Sequence, residues 1–312
     1  MANKGSPQRP FCAKLDAMIG KKIQVLDHGY IRLVDYMGVQ ASVAQAARVS
    51  YQKGTRRTSE DVGLVRRLYR DRHTSPLEQL VITFDLRMPI FVMRQWVRHR
   101  TARLNEESAR YSELESIFYL PKRERMVSQS KKNKQGGGKL LDDAVADHIA
   151  QLLLGGQDAA ARDYAEMIRA DYARELARIN LPLSIYTRVR WQIDLHNLLH
   201  FLSLRNDPHA QYEIRVYAEL IYEKYLKIWV PDICRAFEDH TLKSLRYSFI
   251  DQQVVEWARK EYSGGNWVDS LRLVLAANPK DEDSQLFRLA KQFNVSPGEI
   301  SELLSKLVFL ES

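Results

Sequence analysis

The feature that most limits what this chain can become is the density of positive charge in residues 88–112, which read MPIFVMRQWVRHRTARLNEESARYS. Arg94, Arg98, Arg100, Arg103 and Arg110 stand there beside His99, Asn105, Glu106, Glu107 and Ser108. Guanidinium is always charged and costly to bury alone, so the fold must turn this stretch to water or wrap it round an anion. Charge runs usually face water. The neighbours favour the anion: Gln95 and Trp96 precede the basic run, and residues 105–108 follow it with donors and acceptors that orient a polar ligand. Several guanidiniums round one cavity, each pairing through two parallel hydrogen bonds, read as phosphate recognition.

The surrounding pattern says how the stretch is presented. Residues 81–86 alternate apolar and polar, the mark of a half-buried strand, and residues 90–100 predict a helix delivering the basic cluster. Upstream, residues 22–26 and 31–36 are β-rich and parted by Asp27-His28-Gly29, a hairpin. Ser42 opens a short alanine-rich helix to Ala47. Thr58-Ser59-Glu60-Asp61 offers an N-cap and acidic first turn to a helix striped by Val62, Val65, Leu68 and Tyr69 and ending near Arg72. Pro76 makes residues 73–78 a turn. Downstream, residues 122–138 are rich in Lys, Arg, Ser, Gln and Gly and predict a mobile surface insertion. Residues 142–154 and 158–179 predict two long helices, and residues 187–193 begin the next element. Residues 194–204 have leucines at helical spacing, and a further helix over 209–229 is bounded by Pro208 and Pro231.

A chain of 312 residues, 45% hydrophobic and 28% charged, has the composition of a soluble protein with a sizeable core. The distant Cys12 and Cys234 match no metal or redox spacing, the polar first residues lack an apolar core, and no apolar run reaches the ~20 residues of a membrane span. A cytoplasmic protein without membrane contact is the expectation. The net charge of +8 and pI near 9.3 favour anionic partners. Much of that excess sits in the insertion, however, and aromatic residues are not interleaved with the basic ones. The sequence therefore argues against a nucleic-acid groove. There is no G-x-G-x-x-G, and the glycines at 136–138 run into Lys139-Leu140, so a nucleotide must be held by side chains. His196 and His200, one helical turn apart, allow a zinc reading, but no H-E-x-x-H core or nearby cysteine supports it. Ser108 could be taken for a nucleophile, though no histidine-acid relay is assignable.

Arg98-His99-Arg100 followed by Asn105, Glu106, Ser108, Arg110 and Tyr111 resembles the flavin-dependent thymidylate synthase signature RHR-x-x-S-x-N-E-x-S-x-R-Y. Arg103 departs from it, standing where the family often carries serine. The resemblance covers roughly residues 22–240. It implies an α+β fold of mixed helices around a twisted, mainly antiparallel sheet, unlike a Rossmann fold, in a homotetramer with FAD between subunits and active sites shared. It also implies reductive methylation of dUMP to dTMP, with methylenetetrahydrofolate as carbon donor, NADPH as reductant and no metal. His73, Ser75, Pro76 and Glu78 match H-x-[ST]-P-x-E, which assigns Ser75 and Glu78 to FAD. Arg98, His99, Arg100 and Glu106 fall on FAD contacts. Gln95, Arg98, Glu106, Glu107, Ser108 and Arg110 fall on dUMP contacts. Residues 181–188 look like L-P-L-x-x-Y-T-R, whose arginine, Arg188, reaches dUMP bound at another chain. Asp194, His196 and His200 fall on further FAD contacts, and Arg205 on the arginine thought to help ionise the uracil imide.

Residues 1–240 are thus expected to be the catalytic domain and residues 241–312 a small helical C-terminal extension. Helices are predicted over 252–262, 267–277 and 283–293, and a fourth starts at Ser296-Pro297 with Glu299 completing a capping box. The last two resemble a helix-turn-helix. Because the second offers two glutamates against one lysine in residues 299–306, the expectation is an appendage packing its Leu, Ile and Phe stripe on the catalytic body or another subunit.

Overall fold

Among the described residues, seven runs become strands: β1 (Lys22–Val25), β2 (Gly29–Met37), β3 (Val81–Pro89), β4 (Arg103–Glu106), β5 (Val127–Gln129), β6 (Gly137–Leu140) and β7 (Tyr186–Asp194). The computed structural model describes residues 9–49, 61–130, 136–245, 247–261, 267–276, 281 and 283–310. The expected cap at Thr58, Ser59 and Glu60 lies outside them. Five strands form one sheet in the order β1-β2-β3-β7-β4, every pair antiparallel. The β1–β2 hairpin turns where Asp27-His28-Gly29 predicts it. Only glycine fits at 29, since a Cβ there would meet Tyr217 Oη at 2.1 Å and the Val25 carbonyl at 2.7 Å.

Alternation sends one side chain in two to the core. Ile82, Phe84, Leu86 and Met88 from β3 and Val189, Trp191 and Ile193 from β7 are buried on the inner face. A bulge between Leu33 and Asp35 shifts the phase of β2, so Ile31 and Leu33 and then Tyr36 point inward. The outer face carries Arg32, Thr83, Asp85, Arg188, Arg190 and Gln192. Residues 187–193, expected only to begin an element, form the strand beside β3, and their own alternation of Val189, Trp191 and Ile193 is the signal.

The helices are α1 (Ala13–Asp16), α2 (Gln40–Arg48), α3 (Asp61–Arg70), α4 (Ser75–Glu78), α5 (Ile90–Trp96), α6 (Asp143–Arg169), α7 (Arg174–Ala177), α8 (Leu195–Arg205), α9 (Tyr212–Leu220), α10 (Lys227–Trp229) and α11 (Pro231–Phe237). A π-helical stretch, Ile221–Leu226, joins α9 to α10. The expected turn at 73–78 holds one helical turn, α4. The helix expected over 90–100 stops at Trp96. Its core face consists of Val92, Met93 and Trp96, and the next positions on that face are His99 and Arg100, so the chain unwinds before burying them. The two helices expected between 142 and 179 are mainly one, α6, because Gly155 and Gly156 lie in open space. Each costs about 1 kcal/mol relative to alanine, and nothing forces a break. Segment 122–138, expected as a mobile insertion, carries regular structure in its described residues: a turn of 3₁₀ helix at Arg123–Arg125 and the β5–β6 hairpin. Residues 131–135 lie outside them.

The chain divides into two compact units, Met1–Leu242 and Lys243–Ser312. The second contains α12 (Phe249–Glu261), α13 (Trp267–Ala276), α14 (Gln285–Phe293) and α15 (Pro297–Leu310). Ser296 and Glu299 form the predicted capping box: the Glu299 N–H donates to Ser296 Oγ at 3.2 Å and the Ser296 N–H to Glu299 Oε2 at 2.9 Å. The apolar stripe goes elsewhere than expected. Leu286, Leu289, Ala290, Ile300, Leu303 and Leu304 pack with Val254, Ala258 and Val274 into a core of the unit's own.

Candidate active site

The stop of α5 at Trp96 creates the first site. Trp96 is fully buried against Trp191 and Phe201, with ring centroids 5.0 and 4.6 Å away, which anchors the chain where it leaves the helix. His99 is then held beside α8, its ring 4.9 Å from that of Phe201 and 6.2 Å from that of His200. Arg98, His99, Arg100, Thr101, Ile193, Asn197 and His200 line a cavity of about 180 Å³. Neither Arg98 nor Arg100 has an ion-pair partner among the described residues.

Arg205, in the last turn of α8, donates from Nε to Nε2 of His99 at 3.0 Å. An acceptor there must be the unprotonated nitrogen of a neutral ring, with the proton on Nδ1. Burial, then Arg205 and then His200, hold the His99 pKa down at about 4. Burial also lowers the Arg205 pKa. Arg205 has no carboxylate partner among the described residues. A half-buried cation without a counter-charge is expensive, so it marks a place where something anionic is meant to come.

The second site follows β4. That strand pairs with β7, and Thr187 Oγ1 donates to Glu106 Oε1 at 2.9 Å. Glu106, Glu107, Ser108 and Arg110 share a cavity of about 330 Å³ with Thr187, Arg178 and Leu181. The Ser108 backbone carbonyl accepts from the N–H groups of Tyr111 and Ser112, which curls the loop, and Arg110 is paired with Glu175 at 3.3 Å. The two cavities have no lining residue in common.

Other expected site residues stand outside both cavities. Arg188 lies on the open outer face of the sheet, bidentate on Asp85 at 2.9 and 3.1 Å. Arg32 also holds Asp85. Burial raises the Asp85 carboxyl, but the hydrogen bonds from Arg188 and Arg32 bring it below its ordinary range. Gln95 is bonded to Gln211. Ser75 and Glu78 are exposed on α4, and Leu80, two residues beyond its end, accepts from the Leu195 N–H at 2.8 Å, tying α4 to the start of α8. Asp194 caps α8, accepting from the Asn197 N–H at 2.9 Å and from its Nδ2 at 2.8 Å. Its carboxylate is thereby engaged, and Asn197, not singled out from the sequence, reaches the cavity instead. The Asp-x-x-Asn spacing at a helix start was the available signal. Arg178 and Thr187 were missed too. His196 is half-buried, and among the described residues no group of three His, Cys, Asp or Glu could hold a metal ion beside it. No helix among those residues is long and apolar enough to cross a membrane.

The donor set of the first cavity, two unpaired arginines with His99, His200 and Asn197, is suited to phosphate groups and ring edges. It therefore suits the phosphates of a flavin nucleotide, whereas the second cavity sets Arg110 and Arg178 beside Glu106 and Glu107, with Arg110 already paired to Glu175.

Comparison with known proteins identifies the family. A family model described as "Thymidylate synthase complementing protein" matches residues 32–232. A flavin-dependent thymidylate synthase of Gluconobacter oxydans is 48% identical over 253 residues, covering 79% of this chain and 83% of the relative. One of Wolbachia pipientis is 47% identical over 259 residues, covering 83% and 90%. The crystal structure of a UMP/dUMP methylase, PolB, from Streptomyces cacaoi bound with 5-Br dUMP superposes with a TM-score of 0.61 at 32% identity, covering 69% of this chain and 97% of that one. With its antiparallel sheet, its paired cavities and matches of this extent, the chain belongs to the flavin-dependent thymidylate synthase family.

Proposed function

We propose that this protein methylates dUMP to dTMP reductively, with FAD as its flavin, methylenetetrahydrofolate as carbon donor and NADPH as reductant. The observation that carries the reading is Arg205, a half-buried guanidinium whose hydrogen bond goes to a neutral histidine and which no carboxylate among the described residues neutralises. A cation of that kind beside a uracil lowers the pKa of the imide. The resulting anion makes the ring carbon nucleophilic without a covalent enzyme nucleophile. His99 fixes the direction of Arg205 without adding charge. Arg98, Arg110 and Arg188 hold phosphate, and Gln95, Glu107 and Ser108 orient the nucleotide.

When bound, the flavin supplies the hydride that completes the methyl group. Arg98, His99, Arg100, Glu106, His196 and His200, with Ser75 and Glu78 of α4, would hold it, and Asp194 serves them by capping α8. The protein's contribution is orientation and charge stabilisation.

Cavities of about 180 and 330 Å³ are at or below the small end of the roughly 300–1,000 Å³ of sites that enclose a ligand. That supports sites completed by neighbouring copies, with Arg188 offered from the open face of one sheet to another subunit in a homotetramer. The test is direct: the purified protein should be yellow, release FAD on denaturation, and form dTMP from dUMP only with methylenetetrahydrofolate and NADPH. A colourless, inactive preparation that takes up no added FAD would overturn the reading.

A further inference from the structure

A line of polar contacts runs from Gln95, three residues before Arg98, into the protein interior, and beyond Gln95 the chemistry above does not use it. Gln95 on α5 donates from Nε2 to Oε1 of Gln211. Gln211 donates from its own Nε2 to Oε2 of Glu213 at 2.9 Å. Glu213 is 3% exposed. Arg125, from segment 122–138, holds it with Nε at 2.9 Å and Nη2 at 3.4 Å, and Tyr119 Oη donates to it at 3.1 Å. The Arg125 guanidinium also lies 5.0 Å from the ring centroid of Tyr212. Burial would raise the Glu213 carboxyl, but the hydrogen bonds from Arg125 and Gln211 outweigh it and keep the group ionised.

The polarity of this line is dictated from its buried end. An ionised carboxylate only accepts, so the Gln211 amide nitrogen must face Glu213. Its carbonyl then faces Gln95, and the Gln95 amide nitrogen must face back. That leaves Gln95 Oε1 and one N–H directed away from Gln211. A free glutamine would sample both amide orientations and several rotamers, and lose that freedom on binding a ligand.

We infer that Gln211, polarised by the buried Glu213–Arg125 pair, is a positioning residue that fixes the Gln95 carboxamide in one orientation, and that Arg125 thereby helps to set how tightly the site takes a uridine nucleotide. The inference rests on the proposed reading of Gln95 as a dUMP contact. Losing a fixed orientation and one hydrogen bond weakens binding by about tenfold at most.

The experiment is a double-mutant cycle on the FAD-loaded enzyme with Gln95→Ala, Gln211→Ala and the double variant, repeated with Gln211→Met, which keeps the side chain's length. Flavin content and thermal midpoint verify that each variant is intact. The expected result is a three- to tenfold rise in KM and in calorimetric Kd for dUMP in each single variant, with kcat within twofold in the two Gln211 variants. The double variant should be no worse than Gln95→Ala alone, and Arg125→Ala should give a smaller rise of the same kind. Additive effects, or an unchanged dUMP affinity in both Gln211 variants while Gln95→Ala is impaired, overturn the positioning role and leave Gln95 in the site. Unchanged affinity in Gln95→Ala removes Gln95 from the site and the inference with it.

Discussion

Asp85 is the clearest place to test whether the outer face of the sheet is organised as described. It is 1% exposed and accepts two hydrogen bonds from Arg188, one from Arg32 and a 3.5 Å contact from Tyr30 Oη. Asp85→Ala removes the single negative charge between two guanidiniums. Breaking a fully buried pair costs about 3–5 kcal/mol. The Arg188 side chain is 52% exposed and can turn to water, whereas that of Arg32 is 28% exposed and cannot do so freely. Discounting Arg188 to the ~0–1 kcal/mol of a surface pair leaves about 2–3 kcal/mol in total. For a unit of this size that is a fall in Tm of roughly 5–10 °C. The assay is urea and thermal unfolding followed by tryptophan fluorescence, compared across pH. The folded-state pKa of Asp85 is depressed, so its contribution is present above the unfolded carboxylate value near 3.9 and disappears as pH falls through the lower folded one. The gap between wild type and variant should therefore be constant from about pH 5 to 8 and close below about pH 4. A gap under about 0.5 kcal/mol at pH 7 would refute the argument that Asp85 holds these arginines in place.

Arg205→Ala should keep flavin bound and reduce dUMP-dependent turnover by a factor of roughly 100 to 1,000, and turnover near wild type would exclude the imide-ionising role. If Arg188 completes a neighbour's site, mixed oligomers of inactive Arg188→Ala and inactive Arg98→Ala subunits should recover activity, measured as dTMP formed; verified mixed oligomers that stay inactive would exclude sharing. The His99 pKa is depressed to about 4, so the unfolded chain takes up that proton first and stability should fall as pH drops from about 6.5 to about 4. Replacing His99 by glutamine should flatten the stability curve in that window. Because the unit Lys243–Ser312 has its own core, a chain ending at Leu242 should fold, bind FAD and form dTMP. A folded truncation that cannot bind FAD would place the tail in the active site.

Much of this was legible because it is local. Alternation marked β3, the Asp27-His28-Gly29 turn marked the first hairpin, and Ser296 with Glu299 wrote out a capping box that the backbone uses. The spacing of charged and amide residues in 88–112 likewise singled out residues that line both cavities. Three things were decided only by tertiary packing. Arg98, His99 and Arg100 sit past the end of α5 because the core face of that helix is exhausted at Trp96, which no helix propensity records. Asp194 became a cap and Asn197 a cavity residue because the end of β7 meets the start of α8 there. The expected site arginines also came apart in their surroundings: Arg188 and Arg110, each about half exposed, are paired with Asp85 and Glu175, while Arg98, Arg100 and Arg205 have no carboxylate partner among the described residues. A sequence states which residues carry charge, but whether a charge is spent depends on what lies within a few ångströms of it, and residues 103 positions apart in the chain, such as Asp85 and Arg188, become neighbours only when the sheet forms.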